Sequence, residues 1–165
     1  MIHRAAAVLV LLACLTASAS AQSVRLIGDF RDWSAYSASE GAGQVCFALS
    51  KPTEVAPRPD GFTEAYLYLT NRPAEGVRFE FNVVAGFAFA PDQPATATVG
   101  GQSFELFTER DAAWLLDPSL GERLAAAIRA GSTLTIDGVT EGGFRVQQVY
   151  SLSGATAASR AIETC

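Results

Sequence analysis

The last 34 residues, Ser132 to Cys165, constrain the fold more tightly than any other stretch of the chain. Leu134 and Ile136 alternate with Thr133, Thr135 and Asp137, the period of a half-buried strand. After the turn Glu141-Gly142-Gly143, the residues Phe144, Val146, Tyr150 and Leu152 share one face of a second strand, with Gln148 the only polar interruption. An alanine-rich segment then places Ala155, Ala158, Ile162 and Cys165 at helical spacing, so the terminal cysteine lies on an apolar stripe. Two strands followed by a helix with one apolar stripe point to a sheet that the helix must cover.

The opposite end sets the compartment. His3 and Arg4 precede an apolar run, Ala5 to Leu15, and Ala19-Ser20-Ala21 offers small residues at the −3 and −1 positions of a cleavage site. This pattern predicts a secretory signal peptide over 1–21 and a single mature domain over 22–165. Leu11-Leu12-Ala13-Cys14 offers an alternative, a lipobox that would make Cys14 a lipidated N-terminus. The apolar run is too short to span a bilayer, which takes about 20 residues, and no later stretch reaches that length. With Cys14 removed, Cys46 and Cys165 remain as an even pair in an oxidising space, and a disulfide between them is expected. Of 12 Lys and Arg only Arg4 leaves with the signal, so 11 face 17 Asp and Glu, a net charge of −6. So acidic a chain argues against nucleic acid and anionic lipid as partners.

Along the mature chain, Gln22 to Ile27 reads as a loose lead-in and Asp29 to Tyr36 as a first, weakly patterned strand. Gln44 to Ser50 alternates clearly, with Val45, Phe47 and Leu49 on one face and Cys46 and Ala48 on the other. Three prolines make Lys51 to Glu64 a loop, and Asn71 to Gly76 has turn chemistry. Between them Tyr66 and Tyr68 oppose Leu67 and Leu69. From Val77 to Val84, the residues Val77, Phe79, Phe81 and Val83 point inward. Gly86 to Pro94 is an irregular aromatic connection. Gly100-Gly101 predicts a two-residue hairpin turn between strands over 95–99 and 102–107. One internal helix is expected from Pro118 to Ala130, with Asp117 as N-cap and Gly131 in a left-handed position after its end. The expected fold is mainly β, an antiparallel β-sandwich-like domain of about eight strands with two short packed helices.

The chemistry is limited by one loss. The only histidine, His3, goes with the signal peptide, so a Ser-His-Asp triad, a Cys-His pair and a His-bearing zinc site are closed to the mature chain. The sole lysine, Lys51, reads as a solvated surface group. Sequence-close carboxylates (Asp29 with Asp32, Glu109 with Asp111, Asp137 with Glu141) fit turns and a solvated surface, although a glycosidase could draw on such a pair. No calcium loop or phosphate cradle is present in the sequence. No catalytic, metal-binding or cofactor-binding residue is assigned. Trp33 and Trp114 are the aromatic candidates for a binding surface, with burial against the internal helix the competing role for Trp114.

Several short motifs recur in one order: Asp32-Trp33, Cys46, Thr70-Asn71-Arg72-Pro73, Gly76-Val77-Arg78, Gly100 to Phe107, Ala113-Trp114, Tyr150 to Gly154, and the terminal Cys165. Together they resemble the invasion-associated locus B proteins over nearly the whole mature chain. That resemblance implies a compact, mostly β exported domain with no established catalytic residues. The chain departs from the family where Gly142-Gly143-Phe144 and Gln148 replace an Arg-Gly-Thr and an Asp, which removes any ion pair or ligand contact built on that Arg and Asp. The resulting expectation is an exported, non-enzymatic protein of the periplasm or cell surface that binds a protein or envelope component. The rivals are a carboxylate-based hydrolase of envelope polysaccharide and a lipid-anchored structural protein.

Overall fold

A computed structural model describes residues 23–41 and 43–165 of the chain. The expected signal peptide and the Cys14 alternative lie outside the described residues. The strands are β1 (Arg25–Phe30), β2 (Trp33–Glu40), β3 (Gly43–Ser50), β4 (Glu54–Ala56), β5 (Tyr66–Arg72), β6 (Val77–Val84), β7 (Ala95–Val99), β8 (Gln102–Glu109), β9 (Ala112–Leu115), β10 (Thr133–Val139) and β11 (Arg145–Ser151). The helices are α1 (Gly121–Ala130) and α2 (Ala155–Glu163). All eleven strands belong to one sheet, in the order β1-β2-β3-β5-β6-β9-β8-β7-β10-β11-β4, and each neighbouring pair is antiparallel. Leu67, Phe81, Leu106, Leu134 and Tyr150, from five strands, share one buried cluster with Ile128 of α1 and Ile162 of α2. The sheet therefore curls over a single core, the sandwich-like arrangement that period-2 alternation predicts.

The count exceeds the expected eight because three elements carry weak sequence signals. β1 and β2 form a hairpin, where the sequence suggested a lead-in and one strand. Its turn residue Arg31 has a φ of 58°, and no glycine advertises it. The turn is instead held from outside: the Asp32 N–H donates to the Ser153 carbonyl (3.2 Å), and Ser151 Oγ donates to the Asp32 carboxylate (2.6 Å). β4 is a three-residue edge strand inside the proline-rich loop, paired to β11. β9 is a four-residue strand inserted between β6 and β8.

Asp117 caps a short 3₁₀ turn (Pro118–Leu120) that leads into α1, and its carboxylate accepts from the Ser119 N–H at 3.0 Å. Gly131 does not take the expected left-handed conformation, since its φ is −87°. Its glycine is required by packing instead: a Cβ there would sit 2.7 Å from Val99 Cγ2 and 3.0 Å from Leu152 Cδ1. Gly154, at the start of α2, has a φ of 96°, and an added Cβ would overlap the Phe30 carbonyl oxygen. The polar interruption Gln148 is buried and satisfied. Its amide donates to the Ala85 carbonyl (2.6 Å) and accepts from the Tyr150 hydroxyl (3.1 Å). Burial pushes the Tyr150 phenol well above its usual range, so it remains a proton donor.

The C-terminal helix lies over β1, β2, β3 and β5 and touches α1. Ala155, Ala158 and Ile162 are buried beneath it, as the helical spacing predicts. Cys165 is bonded to Cys46 with a Cα–Cα distance of 5.8 Å, so the expected disulfide is present. Cys46 faces Asn71 across the β3–β5 ladder. From there Asn71 makes a second tie: its amide donates to the Ile162 carbonyl at 2.9 Å and accepts from the Phe79 N–H at 2.8 Å. Sequence reading made Asn71 a turn residue; it is the penultimate residue of β5, opposite a bulge where the ladder shifts between Thr70 and Arg72. Phe79 occupies that bulge with a φ of 48°, and the Asn71 carbonyl oxygen receives the N–H that the bulge frees from the ladder.

Candidate functional site: an aromatic groove on the outer face of the sheet

Strand alternation gives the sheet a second, solvent-side face that carries an unusual share of the aromatic residues. Cross-strand register lines up Leu49, Tyr68, Asn82, Trp114 and Phe107 on β3, β5, β6, β9 and β8. The adjacent row runs Leu26, Tyr36, Phe47, Thr70 and Glu80. Residues opposite one another in an antiparallel ladder have Cβ atoms about 5 Å apart, close enough for rings to touch. Tyr36 stacks on Phe47 (centroids 5.4 Å) and Phe107 on Trp114 (5.4 Å, planes 18° apart), while Phe47 meets Tyr68 at 6.1 Å.

At the Trp114 end this face opens into a groove of about 680 Å³. Its origin is topological. β6 and β9 pair only from Asn82 to Val84, then part. The first half of β6 continues along β5, whereas the chain after Leu115 leaves the sheet for the 3₁₀ turn before α1. Phe79, Phe81 and Leu115 are reached through the gap, Trp114 and Phe107 form one wall, and Pro118 and Ser119 form part of the other. The groove inherits its shape from the bulge, because Phe79 is placed by its hydrogen bond to Asn71. Phe107 is 43% exposed.

The rim is charged. Glu80, Glu109 and Glu122 line the groove with Arg78 as the one cation among its lining residues. Arg78 reaches across to Glu122 (3.0 Å), and Arg72 on β5 holds Glu80 (2.7 Å). The first pair is solvent-exposed and the second partly so; pairs open to solvent contribute little to stability, about 0–1 kcal/mol each, so they shape the rim more than they support the fold. Arg78 also lies over the Phe79 ring at 5.5 Å, and Arg129 lies over the same ring at 5.3 Å. On the far wall, the Ser119 hydroxyl and N–H hold the Asp117 carboxyl below the usual aspartate range.

The two tryptophans separate clearly. Trp33 is 1% exposed, with its indole N–H donating to the Ser151 carbonyl (2.9 Å), so it is a core residue and offers no binding surface. Trp114 lies in β9 and lines the groove, half-buried against Phe107. Phe107 was not singled out from sequence. Its signal was available, since Phe104 and Leu106 point inward and the next residue must therefore point out.

The remaining chemistry-bearing groups lie elsewhere. Lys51 sits on the surface 2.8 Å from Glu64, and Tyr66 donates its hydroxyl to the same carboxylate. The hydrogen bond to Glu64 raises the Lys51 pKa, the opposite of what a lysine base needs. Ser34 donates to Asp29, Ser151 to Asp32 and Gln147 to Asp137, so these three carboxylates act as acceptors in surface contacts.

Fold and site thus define a class: a small antiparallel β domain whose C-terminal helix is tied down by a disulfide and whose outer face carries an open aromatic groove. A crystal structure with a similar fold is that of invasion associated protein B from Bartonella henselae, at a TM-score of 0.59 with 19% identity over 83% of this chain and 96% of that one. The two share a fold, in agreement with the resemblance carried by the short motifs. No family model and no curated protein matches the chain. Those motifs fall largely on structural junctions: Asn71 at the bulge, Gly100-Gly101 in a hairpin turn, and Gly154 at the start of α2. Gly76-Val77-Arg78 and Trp114 instead border the groove.

Proposed function

We propose that this chain is an exported, non-enzymatic binding protein of the cell envelope that holds its partner on the outer aromatic face, centred on the groove. The observation that carries the reading is the stacked pair Trp114–Phe107, left open beside an apolar groove, where a solvated surface would ordinarily bury or replace such rings. Export is supported by the signal-like residues 1–21 and by the disulfide, which fits an oxidising compartment. Among the described residues no helix is long and apolar enough to cross a membrane. The structural neighbour's description as invasion-associated supports a role at the face that meets a host.

The test is capture from envelope extract by the oxidised protein, comparing wild type with Phe107→Ser, a substitution at an exposed site. The expected result is one envelope component retained by wild type and lost by the variant at unchanged melting temperature. Equal retention by both would refute the reading. The carboxylates around the groove favour one rival, a hydrolase of envelope glycan. Release of soluble fragments from peptidoglycan, abolished by Glu80→Gln or Glu109→Gln without unfolding, would establish that rival in place of the binder. The lipid-anchored alternative is decided by intact mass: the binding reading expects an N-terminus at Gln22, and a diacylglyceryl mass beginning at Cys14 would replace it.

A further inference from the structure

Resting on the binding reading above, we infer that the groove takes a small organic cation, an alkylated ammonium group on an apolar body, with Trp114 and Phe107 as its aromatic wall and Glu109 as its counter-charge. The cavity of about 680 Å³ lies within the range of small-molecule sites. Its floor and one wall are apolar, which favours a ligand that sheds water readily, as an alkylated ammonium does and a primary one does not. Its lining carries three carboxylates against one guanidinium. Glu122 is matched by Arg78 and Glu80 by Arg72, while Glu109 enters no salt bridge among the described residues. The excess charge is thus negative and sits on β8 two residues from Phe107, on the same side of the strand.

An anion entering here would meet carboxylates on the rim, and a neutral apolar ligand would leave them unused. A cation against indole and phenyl rings is drawn by the negative face of each π system, most strongly by Trp. The groove already shows this contact internally, because Arg78 lies over the Phe79 ring. At longer range, the net charge of −5 enriches cations around the chain.

Choline chloride, its uncharged tert-butyl isostere dimethylbutanol and the anionic dimethylbutanoate share one shape and differ in charge, which makes them the probes. Each is titrated into the purified oxidised protein, read by backbone and indole amide NMR shifts and, for affinity, by calorimetry. The expected result is choline binding with shifts confined to the groove, about tenfold tighter than the neutral isostere, with the anion weakest. Trp114→Leu is expected to weaken choline by about tenfold while changing the neutral isostere by no more than about twofold. Glu109→Gln, at an exposed position that leaves the fold intact, is expected to weaken choline several-fold and leave the isostere unchanged. Equal affinity for choline and its neutral isostere would overturn the inference, as would choline binding insensitive to both substitutions or no groove response to choline at all. In each of those cases envelope capture that still depends on Phe107 keeps the binding reading standing, so the two fail separately.

Discussion

Removing the Asn71 side chain is expected to be among the most damaging single changes in this protein, although it does not line the groove. Asn71 is 5% exposed, and its amide is the partner of two buried backbone groups, the Phe79 N–H at 2.8 Å and the Ile162 carbonyl at 2.9 Å. In Asn71→Ala both are left without that partner. Each orphaned buried group costs about 1–3 kcal/mol, which gives about 2–6 kcal/mol before relaxation. Relaxation has a local route, because Phe79 at φ 48° can return towards an ordinary strand conformation and shed part of the cost. A net loss of about 2–4 kcal/mol is therefore expected, a large share of a typical stability of about 5–15 kcal/mol. Urea unfolding of the oxidised protein measures it, and hydrogen exchange at the Phe79 amide gives an independent local readout that should accelerate. A change below about 0.5 kcal/mol with Phe79 exchange unaltered would show that the bulge and the end of α2 are held by something else.

Further outcomes follow from the same contacts. Gly154→Ala places a methyl group on the Phe30 carbonyl oxygen at a φ of 96° and should prevent folding or cost more than about 3 kcal/mol; Gly143→Ala, at φ 82° with open space around it, should cost about 1–2 kcal/mol, and the two are compared by yield and urea midpoint. Cys165→Ser opens a loop between cysteines 119 positions apart, worth on the order of 4–5 kcal/mol in the chain-entropy model, so Tm should fall by several degrees or more and protease should cut in α2 first. Asp117 has a depressed pKa, so its contribution is present above the ordinary aspartate range and is lost as pH falls below about 4 through the folded value. Acid titration followed at the Ser119 amide should show this loss, and it should be absent in Asp117→Asn.

How much of this could be read beforehand depended on whether a signal was local. The Gly100-Gly101 and Glu141-Gly143 turns, the alternation around them and the stripe of α2 were legible because period and turn chemistry are properties of a few adjacent residues. The disulfide was legible by arithmetic, since removal of the expected signal peptide would leave two cysteines. The β1–β2 turn was not, because Arg31-Asp32 is held by Ser151 and Ser153 from the other end of the chain. Gly131 shows the opposite failure: its place after a helix suggested a cap, while Val99 and Leu152 explain the missing side chain. The groove was half legible. Trp114 could be chosen by residue type, but its pairing with Phe107, and the parting of β6 from β9 that opens the cavity, exist only once register is known.

The central claim is that the outer aromatic face around Trp114, and no other part of the surface, is where this protein meets its partner. Hydrogen–deuterium exchange of the oxidised chain, alone and after capture with envelope extract, tests it directly. Added protection is expected over 77–81, 105–109 and 112–119, with Ile27 and β4 unchanged. Protection concentrated on the exposed Val24 and Ile27, at and just before the β1 edge, with the groove unaltered, would contradict it.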